Sequence, residues 1–239
     1  MAATRNIMSS ALFALPFLGY QPVDISNGEP ALQAANLVKQ TILGAPFVWP
    51  WNRTTFEFPI SKEDGQDYYT DIPADQPFGF LEKPWLTDVK GKSTEITVVL
   101  SLSQESNIQR PASIAAQDIE DDGNVIFRMN AIPDQAYTLG GSYQRAPIQM
   151  TSLASLWSPI PDRYAYIYDW GFLSVMALLT KDVRVPLFAQ RFVSHLLGAQ
   201  DGLNATQRNI FIGNWLNLLT EPTRAAQSAA LATQARGGM

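Results

Sequence analysis

Two stretches decide how this chain is divided: residues 131–150, AIPDQAYTLGGSYQRAPIQM, and residues 159–179, PIPDRYAYIYDWGFLSVMALL. Both open on Ile-Pro-Asp with a tyrosine a few positions on. Proline fixes φ and disfavours helix in the residue before it, while Asp can bond nearby backbone. The shared tripeptide therefore ends one element and starts another. The apolar pattern of the next residues decides which element forms. After Asp134 it alternates with period two, as in a strand; after Asp162 it is apolar on nearly every side, as in a buried helix. Asp162 can also cap that helix. Gly140-Gly141 sits between two strand-like runs and reads as the turn of a β-hairpin. Its arms would be residues 137–139 and 143–145, projecting towards a neighbouring molecule.

Working outward, the chain keeps this alternation of textures. Ser26-Asn27-Gly28-Glu29-Pro30 reads as a helix start, and ALQAANLVKQTIL continues it. Leu32, Ala35, Ile42 and Leu43 are compatible with one face, and Gly44 is placed as a stop. From Ala45 to about Arg163 the runs are short and rich in β-branched or aromatic residues, among them TTFEF, QDYYTDI, TEITVVLSL and NVIFRM. Pro, Gly and Asp separate them, as in an antiparallel region. Beyond Pro161 the chain is helical again. VPLFAQRFVSHLLG spaces Phe188, Phe192 and Leu196 four apart and ends on Gly198, and Asn204-Ala-Thr-Gln207 resembles a capping box. The fold class expected is therefore α+β: an N-terminal helix, a central antiparallel β region and a C-terminal helical bundle. The divisions are an apolar arm at 1–24, a helical bundle from 25–44 and 164–220, a β domain with its projecting hairpin at 45–163, and a tail at 221–239.

Composition narrows the chemistry. The 239 residues are ample for a hydrophobic core. There is no cysteine, which excludes disulfides, thiolate zinc sites and cysteine nucleophiles. The single histidine, His195, argues against a multi-histidine metal centre. A net charge of −5 argues against a generic nucleic-acid coat. Residues 1–164 hold 11 Lys/Arg and 18 Asp/Glu, whereas residues 165–239 hold 6 and 4, so the first part is acidic and the second slightly basic. The apolar run IMSSALFALPFLGY is too short to span a bilayer, which takes about 20 residues. It reads as an arm that packs on the protein or a partner, with a signal peptide as the lesser alternative.

Each motif has a structural reading beside its chemical one. Asp118, Glu120, Asp122 and Gly123 fall at EF-hand loop positions, but Met129 stands where the bidentate glutamate belongs. An acidic β-turn is the better reading. His195 belongs to a helix surface or packing seam rather than to a general base. No serine sits in a Gly-x-Ser-x-Gly elbow, and the pairs Asp71/Asp75 and Asp121/Asp122 do not define a cleft. Catalytic, cofactor-binding and metal residues are therefore expected to be none. PFVWPWNRTTFEF puts Trp49 and Trp51 beside Arg53, which suits either a core with a cation–π contact or an interface anchor. The interface candidates are Trp49, Trp51, Tyr137, Tyr143, Gln144 and Arg145.

The order of segments carries a resemblance. A capped helix leads to FVWPWNR, then DGQDYYTDIP, FGFLEKPWLTDV, the PD-x-x-Y-x-L-x-x-x-Y-Q-x-x-P segment, the PIPD restart and the terminal helices. Across roughly residues 25–220 this is similar to the head-to-tail adaptor group of tailed bacteriophages that includes podovirus tail tubular protein A. The resemblance implies a helical bundle carrying a β domain, assembled as a ring that is often dodecameric. Its implied partners are further copies of itself, the portal protein, and tail tube, nozzle or terminator proteins. Double-stranded DNA would pass through without sequence-specific binding, and no membrane is involved. The implied location is the virion neck, after assembly in the host cytoplasm. In such a ring Asp64, Asp67, Asp71 and Asp121 would give the channel a negative surface, or else keep the outside soluble. The alternatives are another tail or baseplate protein, or a carbohydrate-binding or hydrolytic β domain in which Trp49, Trp51, Trp85 and Tyr143 line a sugar site.

Overall fold

In the computed structural model the described residues are 3–19, 28–70, 72, 73, 75–103, 107–119, 124–215 and 217. The tail at 221–239, the Ser26-Asn27 cap, Asp71, and Glu120 to Gly123 lie outside them. The chain is mixed α and β and divides into two compact units: Met1–Ile42 with Gln149–Met239, and Leu43–Ile148. The β unit therefore ends earlier than Arg163. The chain from 149 to 163 has no strand among its described residues and belongs with the helices.

The helical unit contains α1 (Ile7–Leu18), α2 (Ala31–Leu43), α3 (Ala165–Leu179), α4 (Val185–Gly198) and α5 (205–215). Its centre is α3, in which Ile167, Phe172, Leu173 and Met176 are all buried. Leu179, within the run whose all-round apolar pattern implies burial, is 44% exposed because it is the last residue of the helix, at the turn into Thr180. Gly171 lets its neighbours come close. A Cβ there would lie 2.7 Å from Val38 of α2 and 2.8 Å from the Phe192 ring of α4. The four-residue spacing of Phe188, Phe192 and Leu196 does put all three inside, and Trp215 of α5 packs on Phe192 at 4.9 Å. The capping box of α5 forms as its spelling suggests. The Asn204 amide donates to Gln207 Oε1 at 3.1 Å, and the Gln207 amide donates to Asn204 Oδ1 at 2.9 Å.

One sequence expectation holds here and one fails. The apolar arm packs on the protein, as helix α1 of this unit. Asn6 caps it by accepting from the Ser9 amide at 3.0 Å, and Gly19 ends it in the left-handed region. Its Phe13 and Phe17 sit against Trp170 of α3, with centroids 5.6 and 5.5 Å away. Asp162, in turn, does not cap α3. Its carboxylate accepts from the amides of Thr4 and Arg5 and from the Thr4 hydroxyl. A short 3-10 turn at Asp162–Tyr164 comes between it and the α3 amides.

The β unit is two four-stranded sheets packed on each other. One has the order β1 (Arg53–Ile60), β8 (Tyr137–Arg145), β3 (Phe78–Asp88), β4 (Ser93–Glu95), all antiparallel. The other has the order β2 (Asp67–Thr70), β7 (Val125–Met129), β6 (Ser113–Ile119), β5 (Thr97–Val98), with only β5–β6 parallel. Alternating residues of both sheets point inward. Phe56 of β1 stacks on Phe127 of β7 at 5.2 Å, and Phe78 of β3 meets the same ring edge-on at 5.7 Å. TEITVVLSL is not one strand. The chain changes sheets at buried Ile96, which leaves the short β4 and β5 exposed and Leu100 fully exposed.

The projecting hairpin is the larger correction. Residues 137–145 form a single unbroken strand, the inner strand β8, paired along its whole length with β1 and β3. Gly140 and Gly141 do not turn the chain; they clear space beneath large rings. Gly140 lies opposite Trp85 of β3, and Gly141 opposite Phe56 of β1. A Cβ at either would come within 2.6 Å of that ring.

Candidate functional site

The six interface candidates gather around β8 and its neighbours, within the β unit. Strand alternation sends Tyr143 into the sandwich, where its hydroxyl donates to the Gln76 carbonyl at 2.9 Å. Tyr137 is also buried, and its hydroxyl donates to Asp134 Oδ1 at 2.8 Å. Gln144 is fully buried, and its amide is used at both ends. Its Oε1 accepts the Trp49 amide at 3.0 Å and its Nε2 donates to Glu82 Oε2 at 3.0 Å. Trp49 is buried and packs on Trp51 with centroids 5.0 Å apart. Trp51 and Arg145 are half-buried, tied together by an Arg145 guanidinium bond to the Trp51 carbonyl at 3.0 Å. Asn52 closes the loop by donating to the Arg145 carbonyl at 2.8 Å.

Four of these side chains are thus occupied inside the unit, and only Trp51 and Arg145 reach the surface. The same geometry disperses the aromatic set considered for a sugar site. Trp49 and Tyr143 are buried, and Trp85 lies over Gly140. Glu82 went unnoticed in the sequence. It is the charged centre of the network, paired with the Arg53 guanidinium while accepting from Gln144. Burial opposes its ionisation, but the hydrogen bonds from Arg53 and Gln144 outweigh that and hold its carboxyl below the usual range. A depressed carboxyl adds stability above its unfolded pKa and loses it as pH falls through the folded value. Glu82→Gln should therefore show a smaller drop in urea midpoint between about pH 5 and about pH 3 than the parent protein. Parallel drops in both proteins would remove Glu82 from the acid response.

A second polar cluster lies in the helical unit. Asp169 of α3 is 3% exposed and accepts from Ser10 Oγ at 2.7 Å and from the Arg5 guanidinium at 2.8 Å. Ser10 in turn accepts from Trp157 Nε1 at 3.0 Å. Trp157 stacks face to face on Tyr168 at 4.5 Å, and Arg5 lies over the Tyr168 ring. Burial pushes the Asp169 carboxyl up to about 6, against the opposing effects of Ser10 and Arg5. One signal could have found it: Asp169 is the only charged residue between Arg163 and Lys181 in an otherwise apolar run.

The remaining motifs are accounted for locally. His195 is half-buried on α4, edge-on to Tyr166 at 5.2 Å. Asp118 is the penultimate residue of β6, and its carboxylate accepts from the Ile119 amide at 2.8 Å. Asp64 caps its own turn through Ser61, and Asp67 forms a two-bond ion pair with Arg128 at 2.6 and 2.7 Å. The Asp67 charge is thereby paired within the unit, while Asp71 and Asp121 lie outside the described residues. Among the described residues no group of His, Asp and Glu could hold a metal ion, and no helix is long and apolar enough to cross a membrane. In comparisons with known proteins the chain matches no family model and no curated protein.

Proposed function

We propose that the chain is a structural virion protein of a tailed bacteriophage, a head-to-tail adaptor subunit. In this reading it assembles with further copies into a dodecameric ring, joins the portal to the tail, and lines the DNA passage. The observation that carries the proposal is the way the units are threaded. Both ends of the chain contribute to one helical unit, and a β-sandwich is inserted between α2 and α3. That is the arrangement the adaptor resemblance implies. The division of charge adds to it. Residues 43–148 hold 8 Lys/Arg and 15 Asp/Glu, a net of −7, and the other residues hold 9 and 7, a net of +2. Surfaces of opposite tendency within one subunit suit contacts with different neighbours. No observation favours the carbohydrate reading, since its four aromatic residues share no open face.

Native mass spectrometry of the purified chain, alone and with the portal protein of the same genome, tests the proposal. A ring-sized species, formed alone or on the portal, is the expected result. A monomer in both conditions, with no portal-bound species, would count against it.

A further inference from the structure

The polar cluster around Asp169 has an uneven construction. Both side chains that bond its carboxylate, Arg5 and Ser10, come from the N-terminal segment. The further anchors of residues 4–8 are polar too. Asp162 holds Thr4 and Arg5, the Trp157 amide donates to the Arg5 carbonyl at 3.1 Å, and the Ile7 and Met8 amides donate to the carbonyls of Ser155 and Leu153. Within α1 the fully buried residues are Ile7, Ser10, Ala11 and Ala14, mostly small, while the half-buried rings of Phe13 and Phe17 pack on Trp170 of α3. The closed arrangement also leaves buried polar atoms unmatched. The Tyr168 hydroxyl and Arg5 Nε have no hydrogen-bond partner among the described residues. Opening would return them, and Asp169, to water.

We propose that residues 4–18 form a strap that opens from the helical unit without unfolding it, and that the ionisation of Asp169 sets how firmly the strap is held. With the strap closed the carboxyl titrates at about 6, raised by burial. With the strap open it is solvated and returns towards the ordinary aspartate value, about 3.9. The closed state therefore binds a proton more readily than the open one. As pH falls from about 7 to about 5, closure should tighten by roughly tenfold.

The charged and titratable groups to consider beside Asp169 are Arg5, Asp162, Tyr168, Lys39 and His195. Arg5 is the cation that faces the carboxylate, and the Asp162 carboxyl is held below its usual range by its bonds to Thr4, so it titrates lower. Burial pushes the neighbouring Tyr168 up, well above neutrality. Lys39 of α2, lowered by burial, titrates at about 8. His195 of α4 packs on Tyr166 and Trp170 of the same helix α3. It is unchanged in an Asp169→Asn variant, which separates its contribution.

Amide hydrogen exchange on the full chain reads the strap directly. The α1 amides should be less protected than those of α3 at every pH, and their protection should fall roughly tenfold between about pH 5 and about pH 7. Asp169→Asn should abolish that fall. Arg5→Met, which leaves the carboxylate in place but unpaired, should lower α1 protection more at about pH 7 than at about pH 5. The proposal is overturned if α1 and α3 share one level of protection. It is equally overturned if the fall persists in Asp169→Asn, or if Arg5→Met acts alike at both pH values.

Discussion

Replacing Gly140 and Gly141 by valine is expected to unfold the β unit, not to detach a surface element. Each new Cβ would sit 2.6 Å from a ring, Trp85 in one case and Phe56 in the other. The rings have little room to retreat. Phe56 is stacked on Phe127 at 5.2 Å within the sandwich core, and β8 is held by β1 on one side and β3 on the other. Overpacking of this kind costs about 1–3 kcal/mol per site. Two sites together would remove a large share of the 5–15 kcal/mol or so that holds a typical domain folded. Urea denaturation followed by circular dichroism should show the loss in the isolated chain, before any assembly. A second change distinguishes steric overlap from loss of glycine flexibility: Trp85→Ala should recover part of the stability lost in Gly140→Val. No recovery would mean that the ring is not what the valine meets. A double-valine variant that keeps its urea midpoint would contradict the placement of β8 as an inner strand.

The second large effect is expected at Leu173→Ala. Leu173 is fully buried in α3, between residues that are themselves buried. Truncation removes buried methyl groups and leaves a cavity, which costs about 2–5 kcal/mol where neighbours cannot collapse into the space. Packing elsewhere on the same helix is close, since a Cβ at Gly171 would lie within 3 Å of Val38 and Phe192. Leu179→Ala serves as the internal comparison. At 44% exposure Leu179 has much less to lose, and its change should stay near the ±0.5 kcal/mol or so typical of surface positions. Thermal or urea melts of the two variants decide the matter. Equal destabilisation would mean that the whole of α3 is covered, and no effect at Leu173 would mean that its site is loosely packed.

What could be read directly from the residues was what depends on neighbours three or four positions away. The reciprocal bonds of Asn204 and Gln207, the stop at Gly44, and the inward stripe of Phe188, Phe192 and Leu196 are properties of one helical turn. The all-round apolar run of α3 and the period-two runs of the β region were legible for the same reason. Tertiary structure alone decided matters in which two distant segments meet. Gly140-Gly141 is spelled like a hairpin turn, and only the rings of residues 56 and 85, brought alongside by β1 and β3, turn it into clearance within a strand. Asp162 is spelled like a helix cap, but its carboxylate is taken by amides more than 150 positions earlier in the chain. Gln144 and Tyr143 were interface candidates and Trp49 suited core or interface, because aromatic and amide side chains serve both, and burial chose the core. Asp169 is a lone charge in an apolar run, a signal the sequence reading passed over, and its role needed Arg5 and Ser10 from the far end of the chain. Local bonding is determined by spacing along the chain. Desolvation and close packing are determined by whichever residues the fold brings within a few ångströms, and no short window of sequence contains them.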